Sequence, residues 1–329
     1  MSSDQLAPLV ADLHLLTVLA ATRSFTETAR RLGLSKASAS MRISELERNA
    51  GVLLVRRTTR SVGLTEAGQQ LVNNMQPAFR RISESYSAAC DLAGTPRGLI
   101  RLTAPVALGR QHLAPRIGAF LQQFPDIHIE LELTDRFVNL ANEGFDLAIR
   151  HTNAPPETHV AWVLCETRSW LAASPQYLAR RGTPTHPSEL TAHDCLLYLR
   201  DSHAGSWTFA RPGTSKGKAA AAAAPERIGV QVAGSLKANN SEVLRDALLA
   251  GLGIGLLPDF SLPALDPDGQ APLVRLLPDW QVQGFFGERI YALRPWSAQV
   301  PKAVECLVAH LRLSFSGGFQ TLLKKPLEG

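Results

Sequence analysis

Residues 24–47 read SFTETARRLGLSKASASMRISELE, and this stretch decides the fold of the N-terminal region. Ser24 followed by Glu27 is a capping-box pair, which starts a helix. Gly33 provides the tight conformation that ends this helix, and Ser35 caps the next one. A helix, a short turn with glycine and a second helix together predict a helix-turn-helix.

The flanking sequence extends this prediction on both sides. Leucines at positions 13, 16 and 19 recur at helical spacing, so a first helix is expected over residues 12–22. The helix that starts at Ser24 is expected to end near Leu32. The recognition helix is expected to run from Ser35 to about Ala50.

Positive charge is concentrated in the same region. Eight basic and two acidic residues lie between residues 30 and 60, a local charge of +6, whereas the whole 329-residue chain carries +5. A basic patch on a nearly neutral body indicates a unit that contacts phosphate. Charge alone leaves a solvated basic helix face as an equal alternative.

The recognition helix begins with small and polar side chains, which allow close approach to the major groove of double-stranded DNA. Arg42 is predicted to hold a base edge, and Arg57 to hold phosphate from a following wing. The predicted DNA-binding residues are Ser24, Arg30, Ser35, Lys36, Ser38, Arg42, Arg57 and Arg60.

The order and spacing of these residues resemble the LysR-type transcriptional regulators. The resemblance rests on Ser24-Phe25-Thr26, Ala29, Leu32, Leu34-Ser35, Ser40, Ile43, Leu46-Glu47, Gly51, Leu54, Arg57 and Leu64-Thr65-Glu66-Ala67-Gly68. Arg23 stands where the family usually has glycine, Val55 where it has phenylalanine, and Lys36-Ala37 where it has Gln-Pro. The resemblance implies an α+β multidomain protein, with a winged helix-turn-helix over residues 1–65 and a small-molecule effector domain behind it.

A long helix is expected over residues 66–93, because an apolar stripe steps by four and three as in a coiled coil. The stripe consists of Leu71, Met75, Ala78, Ile82, Ser85, Ala89 and Leu92. Pro77 conflicts with a regular helix and predicts a kink or a compensating partner. In the family this helix joins two chains, so the resemblance implies a homodimer or homotetramer on an interrupted inverted repeat. The alternative is that the stripe packs on its own domain.

Strands and helices alternate after residue 97, which predicts parallel sheets with crossover helices. Strands are expected over residues 99–103, 127–133, 145–149, 170–173, 195–199, 228–232, 253–257, 273–277 and 289–293. Helices are expected over residues 107–123, 136–143, 241–250 and 299–313, and from Pro175. Over residues 97–313 this pattern is similar to the family's effector domain, which is built like a periplasmic solute-binding protein. The resemblance implies one subdomain from residues 97–163 and 270–313 and another from residues 164–269. Residues 314–329 form a tail, and residues 219–224 are expected to form a loop insertion.

Ligands of such sheets bind beyond the carboxyl ends of the strands, often at helix N-termini. Three turns of this kind are expected to face a small anion. The predicted effector-binding residues are Thr103, Ala104, Pro105, Arg136, Phe137, Arg150, Asn239 and Asn240. Two alternatives remain open: the polar residues only cap helices, and the two arginines only pair with acids such as Asp146.

The remaining sequence argues against several other functions. No HExxH motif occurs, and the GxSxG and SxxK matches around Ser215 lie in a glycine-alanine loop, so no enzyme is expected. Neither a cofactor nor a metal site is expected. The one weak candidate for a metal site consists of His193, Cys195 and His203. Four distant cysteines, no secretory signal and no membrane span predict a cytoplasmic protein. A solute-binding protein without a DNA-binding role is the alternative function.

Overall fold

The computed structural model describes residues 3–57, 62–91, 95–136, 138–199, 205–211, 226–265, 268–283, 286–297 and 299–319. Its helices are α1 (Ser3–Thr22), α2 (Phe25–Leu32), α3 (Lys36–Ala50), α4 (Glu66–Asp91), α5 (Val106–Leu108), α6 (Ala114–Gln123), α7 (Leu140–Glu143), α8 (Pro175–Arg181), α9 (Ser241–Leu249) and α10 (Lys302–Ser314). Its strands are β1 (Val55–Arg57), β2 (Val62–Leu64), β3 (Gly98–Ala104), β4 (Ile127–Leu133), β5 (Leu147–Thr152), β6 (His159–Glu166), β7 (Ser169–Ala173), β8 (Cys195–Tyr198), β9 (Ser206–Arg211), β10 (Glu226–Gln231), β11 (Lys237–Ala238), β12 (Ile254–Pro258), β13 (Val274–Arg275), β14 (Gln281–Gln283) and β15 (Arg289–Pro295).

The N-terminal unit comprises the described residues from 3 to 64, and its turn has the geometry that the sequence predicts. The Ser24 hydroxyl accepts a hydrogen bond from the backbone N–H of Glu27, and the Ser35 hydroxyl accepts one from Ser38. Gly33 ends α2 with φ +64°, in the left-handed region. The predicted helix-turn-helix is therefore present, with its recognition helix at α3.

Two features of the N-terminal unit differ from expectation or extend it. Helix α1 begins at Ser3 rather than near residue 12, because Leu9 continues the apolar face that packs on the core of the unit. After α3, strands β1 and β2 pair antiparallel as a short wing. Arg60 lies outside the described residues.

Helix α4 is continuous from Glu66 to Asp91 and contains Pro77. Its first turns pack on the N-terminal unit through Leu71 and Val72, so the predicted alternative of packing on its own domain holds for this part. Farther along, Ile82 is 61% exposed. The side chain of Ala89, and all of Leu92, lie outside the description.

The first α/β subdomain is built on a five-stranded sheet in the order β4-β3-β5-β15-β6. As predicted, β3 runs parallel to β4 and β5. Strand β15 returns antiparallel between β5 and β6, so the sheet is mixed. Strand β6 was not predicted as a strand. Helices α6 and α10 cover the sheet, and its carboxyl edge at β3, β4 and β5 faces the second subdomain.

The second subdomain holds another five-stranded sheet, in the order β11-β8-β12-β7-β13. A separate three-stranded antiparallel sheet, β10-β9-β14, packs Trp207 and Phe209 into the same core. Strands β9 and β14 were not predicted, and neither was this small sheet. The helix expected over residues 136–143 is limited to α7. Within the described residues, no helix is long and apolar enough to span a membrane.

Candidate DNA-binding surface and effector cleft

Helix α3 divides into a buried side and an open side. Ala39, Ile43 and Leu46 are buried against α1 and α2. The open side carries Ser35 at the N-cap, then Lys36, Ala37, Met41, Ser44, Glu45 and Arg48. The helix thus offers an exposed face, which is what insertion into a major groove requires.

Arg42 is turned away from this face. Its Nε lies 2.5 Å from an Asp12 carboxylate oxygen on α1, and both side chains are more than half buried. The ion pair links α3 to α1. The role of Arg42 at a base edge stays a prediction.

Arg57 is also engaged within the unit. Its guanidinium donates to the Ser40 hydroxyl at 2.7 Å and to the Ser44 hydroxyl at 3.0 Å, and it lies 4.9 Å from the ring centre of Phe25. These contacts tie the wing to the recognition helix. They give Arg57 a positioning role within the unit, and its contact with phosphate stays a prediction.

Glu47 anchors the chain that leaves α3. One of its carboxylate oxygens accepts the backbone N–H groups of Leu54 and Val55, both at 2.9 Å, and the side chain is buried. A single acidic residue therefore sets the start of the wing.

Arg30 lies on α2, and its side chain is exposed. It forms a bidentate pair with Glu27, which also accepts from Arg31, and these contacts hold the pKa of Glu27 down at about 2. Arg30 lines a cavity of about 1010 Å³ between the N-terminal unit and the first subdomain, where Glu130 of β4 also lies. The contact of Arg30 with DNA stays a prediction.

The other predicted DNA-binding residues occupy the start of α2 and α3. Ser24 and Ser35 use their hydroxyls as helix caps, and Lys36 is exposed. Ser38 is partly exposed on the first turn of α3. The structure thus brings Ser35, Lys36 and Ser38 together at one end of the open face of α3.

The two subdomains meet at the carboxyl edge of the first sheet, where Asp135 links them. One Asp135 oxygen accepts the backbone N–H of Val106 at 3.0 Å, and the other accepts the Asn240 amide at 2.8 Å. Asn240 at the same time caps α9 through its carbonyl oxygen. Asn240 therefore lies where the two subdomains meet, and its partner Asp135 was not among the predicted residues.

A second bridge crosses the cleft beside the first. A single π-helical turn, Gly109–Leu113, separates α5 from α6. It directs Gln111 to the Glu242 carboxylate at 2.9 Å and Arg110 to the same carboxylate at 3.5 Å. Turns of this kind are frequent at functional sites. Glu242 lies two residues after the predicted Asn240, and its acidic side chain on the first turn of α9 is the signal that sequence reasoning missed.

Arg150 lies in the second half of β5 and is a buried cation. Its side chain donates to the Thr103 hydroxyl at 3.2 Å and to the backbone oxygen of Ile149 at 3.0 Å, and the residue is only 9% exposed. Burial lowers the pKa of its guanidinium to about 10. Thr103 itself is fully buried, so its hydroxyl serves Arg150 and does not open onto the cleft.

The other predicted effector residues are distributed differently. Arg136 is exposed and forms a bidentate pair with Glu143, which raises the pKa of Arg136 and lowers that of Glu143. The alternative of pairing with a neighbouring acid thus applies to Arg136. Ala104 is buried, Pro105 precedes α5, and Asn239 is exposed. Phe137 lies outside the described residues.

The cysteines and histidines form no reactive or metal-binding centre in the described part of the chain. No group of three or more possible metal ligands occurs there. Burial raises the pKa of the Cys165 and Cys195 thiols to about 12, which disfavours the reactive thiolate. His193 lies 3.1 Å from the Tyr177 hydroxyl, and His203 is outside the description.

Two family models match the chain. The model described as the LysR substrate binding domain matches residues 93–316, and the model described as a bacterial regulatory helix-turn-helix protein of the lysR family matches residues 10–69. Together they account for both the α/β region and the N-terminal unit.

Individual proteins show the same similarity. The HTH-type transcriptional regulator PtxR of Pseudomonas aeruginosa is 33% identical over 302 residues, which are 91% of this chain and 91% of PtxR. The HTH-type transcriptional activator TtdR of Escherichia coli strain K12 is 30% identical over 275 residues, which are 83% of this chain and 84% of TtdR. The full-length structure of AphB, a virulence activator of Vibrio cholerae, is 28% identical, covers 92% of this chain and 98% of its own, and has a TM-score of 0.60.

Proposed function

This chain belongs to the LysR-type transcriptional regulators, and on that premise we propose that a small carboxylate, held by Arg150 between its two α/β subdomains, controls how it binds DNA. The chain combines a helix-turn-helix DNA-binding domain with an effector-binding domain. The proposal concerns the chemical class of the effector and the residues that hold it.

The observation that carries the proposal is the environment of Arg150. Its two hydrogen-bond acceptors, the Thr103 hydroxyl and a backbone oxygen, are both neutral. Burying a cation without a carboxylate in contact costs free energy, and buried charges in folded proteins are normally paired. Asp135 and Glu143 act on Arg150 only through space. A ligand carboxylate supplies the missing counter-charge.

The cross-cleft bridges provide the means by which such a ligand acts. Asp135–Asn240 and Gln111–Glu242 join the two subdomains beside Arg150. A ligand shifts a conformational equilibrium by the difference in its affinity for the two states. A carboxylate that binds Arg150 and competes with or reinforces these bridges therefore changes the angle between the subdomains.

For the DNA complex we propose a two-fold dimer joined through the exposed part of α4. Ile82 and Tyr86 are 61% and 74% exposed, one turn apart on this helix. A two-fold dimer spaces its recognition helices by about 34–36 Å, one turn of DNA, and so reads an interrupted inverted repeat. A tetramer places two such pairs on DNA. We propose a cytoplasmic location, where DNA is present, and no catalytic role.

Thermal unfolding with candidate ligands tests the effector proposal. A ligand that binds only the folded state raises the unfolding temperature as its concentration increases. We expect some member of a panel of short mono- and dicarboxylic acids to stabilise the wild-type chain, whereas its neutral amide does not. Arg150→Gln should lose this stabilisation. Arg136→Gln is the matched control, because Arg136 is exposed and already paired with Glu143.

Two results would contradict the proposal. One is stabilisation by a carboxylate that persists in Arg150→Gln. The other is equal stabilisation by the acid and its amide, which means that the site does not recognise negative charge. In either case the regulator still binds DNA, and only the assignment of its effector changes.

A further inference from the structure

The open face of α3 carries an exposed apolar side chain at its centre. Met41 is 64% exposed, and Ala37 lies one turn before it on the same face. On the opposite side of the helix, Ala39 and Ile43 are fully buried. Met41 is therefore on the groove-facing side of the recognition helix rather than in the core of the unit.

The charged side chains near Met41 are directed elsewhere. Arg42 is paired with Asp12 behind the helix, and Arg57 is bonded to Ser40 and Ser44. Arg48, two turns beyond Met41, is paired with Glu45. The middle of the face thus presents no free guanidinium to a guanine edge among the described residues.

A recognition helix reads the base edges with the side chains that are exposed on its groove-facing side. In the major groove, the one apolar group on a base edge is the C5-methyl of thymine, and apolar side chains contact it directly. Methionine suits this contact, because its unbranched thioether adapts to irregular surfaces. We infer that Met41, with Ala37 beside it, specifies thymine by packing against its methyl group. This inference rests on the DNA-binding function of α3.

The test removes single methyl groups from DNA. A duplex is first selected from a random-sequence pool by the full-length chain, and each thymine in its half-sites is then replaced by uracil, which lacks only the C5-methyl. We expect the wild-type chain to lose affinity at one or two positions in each half-site, by about fourfold for each buried methyl. Met41→Ala should bind the thymine and uracil duplexes with equal affinity at these positions.

Leu53→Ala provides the control, since Leu53 is 68% exposed on the same unit but lies outside α3. It should keep the thymine preference of the wild type. Uracil that weakens the wild type and Met41→Ala equally would overturn the assignment, as would an affinity unchanged by every uracil. Failure of the chain to select any duplex would instead overturn DNA binding itself.

Discussion

The N-terminal unit and the cleft between the subdomains use arginine in opposite ways. In the N-terminal unit, Arg42 and Arg57 have an acid or hydroxyl partner within the unit, and they hold its helices and wing in place. In the cleft, Arg150 is buried with neutral partners only. The comparison shows that basic residues near a DNA-binding helix also hold the helices and the wing of their own unit together.

The largest effect is expected at the exposed half of α4. Ile82→Glu places a charge in the proposed dimer contact, so the two recognition helices no longer bind together. Loss of bivalent binding should weaken DNA affinity by about 100-fold or more. Sedimentation and a gel shift measure the two effects.

Leu313→Glu is the control for Ile82→Glu, because Leu313 is 78% exposed on α10 of the first subdomain. It should leave the oligomer and the DNA affinity unchanged. A dimer that survives Ile82→Glu would mean that the chains associate elsewhere.

The next effect concerns the internal structure of the N-terminal unit. Glu47→Ala leaves the backbone N–H groups of Leu54 and Val55 buried without acceptors, at a cost of about 2–4 kcal/mol in the free energy of unfolding. Circular dichroism follows unfolding, and hydrogen exchange at these two amides localises the loss. Glu45→Ala removes only an exposed pair with Arg48 and should change stability by less than about 0.5 kcal/mol. Similar losses in both variants would show that Glu47 does not anchor the wing.

A smaller effect is expected from pH, through His112 of the α/β region. Burial lowers the pKa of His112, and its Nε2 lies 2.8 Å from the backbone oxygen of Phe260. In the unfolded chain, a histidine binds its proton below a pH of about 6.5, whereas the folded chain protonates His112 only at lower pH. The contribution of His112 to the free energy of unfolding should therefore be fully present above a pH of about 6.5 and should be lost as the pH decreases toward the pKa of His112 in the folded chain.

His112→Asn isolates this contribution, since it removes the titrating group. The variant should show a flatter decline of unfolding temperature with decreasing pH, whatever its stability at neutral pH. His14, whose pKa is also lowered by burial, should account for part of the remaining decline. An unchanged slope in His112→Asn would exclude His112 as a source of acid sensitivity.

The smallest effect is expected at the turn before α2. Arg23 is exposed and has φ +51°, in the left-handed region that glycine adopts without strain. Arg23→Gly should stabilise the N-terminal unit by up to about 1 kcal/mol. Arg97→Gly, at an exposed position without a positive φ, should not be stabilising. A loss of stability in Arg23→Gly would show that the Arg23 side chain has a role that outweighs the strain.

The local part of the fold was predictable from sequence. Caps at Ser24 and Ser35 and the glycine at position 33 act within four residues, so their geometry follows from spacing alone. Strands β6, β9 and β14 were missed, because strand formation there depends on partners far along the chain. For the same reason, the sequence of these short strands carried no clear local signal for strand formation.

The sites were less predictable than the fold. Sequence placed Arg42 on α3 correctly but gave no sign of its pairing with Asp12, 30 residues earlier. It named Thr103 and Arg150 separately, whereas their contact spans 47 residues and needs the pairing of β3 with β5. Asp135 and Glu242 were missed because their bridges join two subdomains. Contacts between segments that are distant in the sequence decide which polar residues hold the structure together and which are available to bind a ligand.

The most direct test of the account is a footprint of the selected DNA duplex with and without the stabilising carboxylate, for the wild type and Arg150→Gln. We expect the carboxylate to change the length or pattern of the wild-type footprint. Arg150→Gln should give the ligand-free footprint with unchanged DNA affinity and should not respond to the carboxylate. An Arg150→Gln protein whose footprint still changes on addition of the carboxylate, at the same concentration as the wild type, would contradict the account.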